Sequence, residues 1–329
     1  MRVLVVGASG AIGTWLVPQL IDHGHEVIGT CRSPEKKERL REQGAEPVVL
    51  DALNSRAVRE TVAGAEPEAI IHQATALSDI RFGRNFDRTF AQTNRLRTEG
   101  TDNLLAGAHE IGVPRFVAQS FASMRNERKG GMVKTEDDPL DPDPPATMRE
   151  GHAAMRHLEQ AVTEAGGIAL RYGGFYGADN DGLVDPVRKR RFPIVGDGGG
   201  YVSWIHLEDA AAATVLALEH EGPEIYNIVD DEPAPVREWL PALADALGAK
   251  PPRRIPVWLA RLVAGDVAVL MGTGARGASN AKAKRELGWS LHYPSWRQGF
   301  VEVYSGRRPG TRIPEPALSG SGRHQQSSR

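Results

Sequence analysis

Three glycines at a spacing of three, Gly7, Gly10 and Gly13, follow directly on the apolar run Val3–Val6. This spacing suits one task, which is to hold a pyrophosphate against backbone N–H groups where a helix begins. Gly7 lets the chain turn. Gly10 leaves no side chain where the phosphate approaches, and Gly13 lets the new helix lie close to the strand. The stretch Gly7-Ala8-Ser9-Gly10-Ala11-Ile12-Gly13 therefore reads as a dinucleotide-binding turn, with Ser9, Ala11 and Ile12 among its lining residues. The next strand ends in Ile28-Gly29-Thr30-Cys31-Arg32-Ser33, without the carboxylate that would accept from a ribose 2′-hydroxyl. The Arg32 cation and the Ser33 hydroxyl suit a 2′-phosphate instead, so the expected cofactor is NADP(H). Asp51, with Ala52 beside it, follows the third strand. It either accepts from the adenine amino group or caps the next helix.

The elements that position these residues alternate. Strands are expected at Val3–Val6, Val27–Gly29, Val48–Leu50, Ala69–His72, Phe116–Ala118 and Ala169–Arg171. Helices are expected at Ala11–His23, Glu35–Gln43, Ser55–Ala63, Asp87–Ile111 and Arg149–Ala165. Gly24, Gly44, Gly112 and Gly166 stand just past four of the helix ends, where a left-handed residue is wanted. Repeated βα units imply an α/β fold, a doubly wound parallel sheet of Rossmann type, with a smaller and discontinuous substrate-binding region. The expected division is a dinucleotide-binding domain over 1–172 and 205–229, a substrate-binding region over 173–204 and 230–305, and an unstructured tail over 306–329.

Composition narrows the partners. A net charge of −2 gives no reason to expect nucleic acid. Cys31 is the only cysteine, so no intramolecular disulfide forms, which agrees with a reducing cytoplasm. The N-terminal apolar run is too short for a signal peptide, and no stretch is expected to approach the ~20 apolar residues of a membrane span. The expected partner is a small molecule. His72 and His157 have no companions at ligand spacing, and no metal site is expected. The oligomeric state stays open.

Taken in order, these segments resemble the short-chain dehydrogenase/reductase superfamily in its extended, epimerase-like form. The glycine turn and Asp51-Ala52-Leu53 carry the likeness, as do Ile70-Ile71-His72-Gln73-Ala74-Thr75-Ala76 and Glu99–Leu105. Phe116-Val117-Ala118-Gln119-Ser120, Leu170–Gly177 and Lys284–Trp289 extend it to about residue 305. The resemblance implies that Gln73, Ala74, Ser120, Tyr172 and Gly173 adjoin the cofactor. It also implies a Tyr and a Lys four residues apart on the helix after the Ser120 strand, where the Tyr handles the proton and the Lys holds the nicotinamide ribose. This chain departs there, with Met148 at the Tyr position and His152 at the Lys position. Arg97 stands where an Asn is usual, and Val202 stands where nucleotide-sugar members often carry an Arg.

Methionine donates no proton, and a positioned general acid contributes roughly 10²–10⁴ in rate. The remaining protein candidates are Ser120, His152, Tyr172, Tyr176 and His206, of which Ser120 and His152 are the catalytic expectation and His152 also keeps the ribose contact. The other solution is a substrate that brings its own acid, such as a phenol beside the reacting ketone. The pattern is similar to ketoreductases of angucyclinone pathways, which implies reduction of a polycyclic aromatic polyketide in an apolar slot. Met124, Met148, Phe175, Tyr176 and Trp204 are its expected walls. A nucleotide-sugar epimerase with relocated acid–base groups and a non-catalytic NADP-binding protein are the competing readings.

Overall fold

The structure is a computed structural model. It describes residues 1–77, 84–177 and 182–305, so the expected tail at 306–329 lies outside the described residues. Five strands, β1 (Arg2–Val6), β2 (Glu26–Cys31), β3 (Glu46–Val49), β4 (Ala69–His72) and β5 (Arg115–Phe121), are joined by Ile168–Tyr172 and Glu224–Ile228 in one sheet of seven. From edge to edge the order is β3, β2, β1, β4, β5, Ile168–Tyr172, Glu224–Ile228, and every pairing is parallel. The chain winds outward from β1 to β3, then returns to place β4 on the other side of β1. Open α/β sheets bind ligands at such a reversal.

Alternation along β1 builds two cores. Val3 and Val5 pack with Leu16, Leu20 and the helix Leu207–Glu219, whereas Leu4 and Val6 pack with Val58, Val62, Leu104 and Leu158. Helix α1 (Gly13–Asp22) thus covers one face. Helices α3 (Ser55–Ala65), α5 (Thr101–Ile111) and α6 (Arg149–Glu164) cover the other. With both faces covered, the strands read as continuous apolar runs. The short α2 (Lys37–Glu42) leads into β3.

The helix expected at Asp87–Ile111 is built in three pieces. Helix α4 (Phe86–Arg95) passes through a π-helical turn, Leu96–Gly100, into α5. A third core gathers Tyr176, Trp204, Trp239, Trp296 and Phe300. Ala283, Leu287 and Trp289 pack instead in the first core, so the segment 230–305 does not form one separate body. Contrary to the sequence expectation, one stretch, Val257–Gly274, is long and apolar enough by composition to cross a membrane. Gly265, with φ of +84°, interrupts the helix in the middle of that stretch.

Candidate active site

The cofactor cradle lies at the C-terminal ends of β1 and β4. Gly7 has φ of +93°, and its N–H donates to Thr30 Oγ1 at 3.1 Å. A Cβ at Gly7 would stand 2.8 Å from the backbone of Ala74, so the turn and the end of β4 approach as closely as glycine permits. A Cβ on Gly13 would collide with the Ala8 carbonyl. Gly10 and Ala11 are exposed, Ser9 is half-buried and Ile12 is buried. Helix α1 starts with no side-chain cap and no acidic residue in its first turn, which leaves its positive end open to an anion. Gln73 Nε2 donates to the Tyr172 hydroxyl at 3.1 Å, and its buried Oε1 has no partner among the described residues. A dinucleotide suits this set: a cradle that only glycine permits, an uncapped helix end and an unpaired buried acceptor. Gln73, Ala74, Ser9 and Gly10 are the residues that would hold it.

Arg32 is exposed at the end of β2, where the sequence places it. Asp51 Oδ1 accepts from Leu53 N–H at 3.0 Å, and the Ala52 carbonyl accepts from Asn103 at 3.0 Å. Asn54, rather than Asp51, caps α3 through Ala57 N–H, which removes the capping alternative for Asp51.

The proton side differs from the expectation. Ser120 is 1% exposed, and its hydroxyl donates to Glu159 Oε1 at 2.6 Å. Strand alternation turns Ser120 toward α6, where a carboxylate waits, so the hydroxyl is committed and its expected catalytic role is withdrawn. Glu159 is also held by Arg125, through both of its oxygens, and by Arg171 at 3.0 and 2.9 Å. Burial alone would raise the Glu159 carboxyl, but the Arg125 and Arg171 guanidiniums outweigh it and hold it at about 2. Ser123 was missed in the sequence. It follows β5, is buried, and its Oγ has no partner among the described residues.

His152 sits in the first turn of α6, and its Nε2–H donates to the Met124 carbonyl at 2.9 Å, an assignment made from that acceptor. Burial lowers its pKa, so the ring is neutral at pH 7. Met124 itself has φ of +59°, a strained conformation for a side chain of its size. Asp87 of α4 accepts the N–H groups of Gly151 at 2.9 Å and Glu150 at 3.2 Å, which ties the start of α6 to α4. No local signal marks that cap, because donor and acceptor are more than sixty positions apart.

Of the expected apolar walls, the structure brings Met124 and Met148 together, with Phe86, Val267 and Leu270. A cleft of about 310 Å³ opens beside them, lined by Pro144, Ala146, Arg149, Leu270 and Thr273 among others. The other three walls are corrections. Trp204 and Tyr176 are core side chains, packed edge-on against Trp239 at 4.8 Å and Phe300 at 5.2 Å. Phe175 lies 5.3 Å from the Tyr172 ring, away from the methionines in the packing. Tyr172 is fully buried and bonded to Gln73 and Thr214, and burial pushes its hydroxyl up to about 12. Gly173 leaves room for the Ser203 carbonyl, which would stand 2.6 Å from a Cβ there. His206 caps the Leu207–Glu219 helix through Glu208 N–H, and burial lowers it to about 4.

The NAD dependent epimerase/dehydratase family matches residues 3–229. The chain belongs to that family. Nicotinamide dinucleotide is its cofactor class, and its chemistry is that of an oxidoreductase. Among relatives of the family, the chain is 40% identical over 312 residues to a 3-diazoavenalumate denitrifying reductase of a Streptomyces species, covering 91% of this chain and 99% of that protein. It is 29% identical to a 4-hydroxy-2-methyl-3-oxo-4-farnesyl-3,4-dihydroquinoline-1-oxide ketoreductase of Stigmatella aurantiaca, covering 76% of this chain and 74% of that one. The UDP-glucose 4-epimerase of Thermotoga maritima shares the fold, with a TM-score of 0.72 at 22% identity over 92% of this chain and 97% of that one. Epimerases of this family and the reductases thus share one scaffold.

Proposed function

We propose that this protein is a reductase whose acceptor takes a hydride without a proton from the protein, and that the acceptor is an aryl diazo compound. The observation that carries the reading is the first turn of α6. There the structure buries Met148 and bonds His152 to the Met124 carbonyl, at the positions where the sequence resemblance expects the proton-handling pair. When bound, reduced nicotinamide supplies the hydride. An aryl diazonium that receives the hydride forms a carbon–hydrogen bond, breaks its carbon–nitrogen bond and releases dinitrogen. The electron pair of the hydride balances the positive charge, so no oxyanion forms and no proton enters. The 40% identity to a denitrifying reductase along nearly its whole length supports this chemistry.

The residues of the chain would act by position. The glycine turn holds the pyrophosphate, Arg32 and Ser33 favour a 2′-phosphate and hence NADP(H), and His152 accepts from a ribose hydroxyl. Met124 and Met148 offer a soft, polarisable wall to the ring. The test is incubation with 4-deuterated NADPH, in each facial isomer, and an aryl diazonium. Dinitrogen release together with deuterium on the ring carbon is the expected result, and NADPH oxidation without ring deuterium ends the reading.

A second reading is reduction of a ketone in a polycyclic aromatic polyketide, protonated by a neighbouring phenol of the substrate. The ketoreductase relative favours it. The two separate by product: the diazonium yields dinitrogen and deuterium on the ring carbon, whereas the ketone yields deuterium on the new alcohol carbon and no gas.

A further inference from the structure

The longest run of unsatisfied polar groups lies on the α4 side of the site. Asn94 is 7% exposed, and neither its amide oxygen nor its nitrogen has a partner among the described residues. Arg97, one turn on, is 8% exposed and its Nε is likewise unpaired. A buried guanidinium without a counter-charge is costly, and an asparagine with both ends unpaired adds to that cost. Glu159 acts on Arg97 only at a distance, because both of its oxygens are bonded to Arg125 and Arg171. The other buried carboxylate on this side, Asp87, is held by the N–H groups of Gly151 and Glu150. Burial and the Arg125 charge lower Arg97 to about 10, which leaves it cationic at pH 7.

The pair also adjoins the reaction turn. The Asn94 amide stands 3.7 to 3.9 Å from where a Cβ of Gly151 would be, and Gly151 lies between Met148 and His152 in the chain. Water could satisfy the amide, but it could not balance the guanidinium charge. Asn94 and Arg97 together offer seven N–H donors against one acceptor, a set suited to an anionic oxygen.

We propose that Asn94 and Arg97 form an acid-binding corner of the substrate site and receive an anionic oxygen, carboxylate or phenolate, carried by an aromatic substrate. This rests on the reading above only in taking the substrate to be aromatic. The test uses binding, so it does not depend on turnover. NADP-loaded protein is titrated with cinnamate, 4-nitrophenolate and uncharged methyl cinnamate, and followed by tryptophan fluorescence and thermal shift. Saturable binding of one of the anions, at least tenfold tighter than the ester, is expected. Arg97→Gln and Asn94→Asp should lose at least tenfold of that preference, and Arg97→Lys should keep part of it.

Equal affinity for anions and ester, or an anion preference that survives Arg97→Gln, overturns the proposal. So does chloride or acetate competing as well as the aromatic anions, which would mean an adventitious ion only. Circular dichroism checks folding. Should Arg97→Gln fail to fold, Asn94→Asp and the anion–ester comparison in the wild-type protein decide. Anion binding without hydride transfer to a diazonium would sink the proposed reaction and leave this site standing. The reverse outcome would sink only the site.

Discussion

On the β1–β3 side of the site, glycines let backbone segments close on one another around an uncapped helix end. Gly7 and Gly13 remove side chains that would strike backbone, and α1 begins without a cap. On the α4–α6 side, polar groups crowd together and most are already bonded to one another. Ser120, Arg125, Glu159 and Arg171 form one buried network, Asp87 caps α6, and His152 is tied to Met124. The first side is a receptor waiting for phosphate. The second is a frame of buried polar groups bonded to one another. The two sides differ in whether their polar groups already have partners.

The contrast can be broken most forcefully in the network. Glu159→Gln leaves the two buried guanidiniums of Arg125 and Arg171 without their carboxylate. It should cost on the order of 3–5 kcal/mol of stability, read as a lower urea midpoint. An unchanged midpoint would mean that the frame is not what holds α6. On the receptor side, Gly7→Val adds a side chain at positive φ against Ala74 and should weaken NADPH binding by more than about a hundredfold, the equivalent of two steps of ~1.4 kcal/mol each. Fluorescence titration reads this directly.

His152→Ala sharpens the proton question. If the ring only accepts a ribose hydrogen bond, kcat/KM should fall by about fivefold, the worth of one such bond of ~1 kcal/mol. A loss in the 10²–10⁴ range would restore it as a general acid. Acid sensitivity follows from the same buried groups. His72 and His206 are lowered to about 4 by burial, and His152 is lowered as well. Below pH 6.5 the unfolded chain takes up protons at these rings that the folded chain refuses. These rings should therefore lower stability as pH drops from 6.5 toward 4, partly offset by Asp230, whose buried carboxyl is raised to about 8; nearer 4 the rings charge in the folded chain too, and Glu159, held at about 2 when folded, carries the loss onward. A melting temperature that stays level from pH 6.5 to 4 contradicts this. The smallest effect is expected from Arg32→Ala, which should shift the NADPH-over-NADH preference by on the order of tenfold. No shift would return Arg32 to an ordinary surface role.

Much of this arrangement is legible along the chain. The glycine turn is local, with strand, turn and helix within about a dozen residues, and the left-handed glycines at 24, 44, 112 and 166 take positive φ where helix ends were expected. The sites that sequence reasoning misassigned depend on distant partners. Ser120 looked free because Glu159 lies thirty-nine residues on. Trp204 and Tyr176 looked like pocket walls because nothing nearby in the chain announces Trp239 and Phe300.

By itself, then, the sequence determined the periodicity, the order of strands and helices and the glycine turn. Each is a property of residue type and short spacing. Only the tertiary structure decided which polar side chains are already spoken for and which are not. It gave the Ser120 hydroxyl to Glu159, left Ser123, Asn94 and Arg97 without partners among the described residues, and set the two methionines side by side. Hydrogen bonding and charge balance in a buried site are settled by what folds against it, and that is written only in the packing.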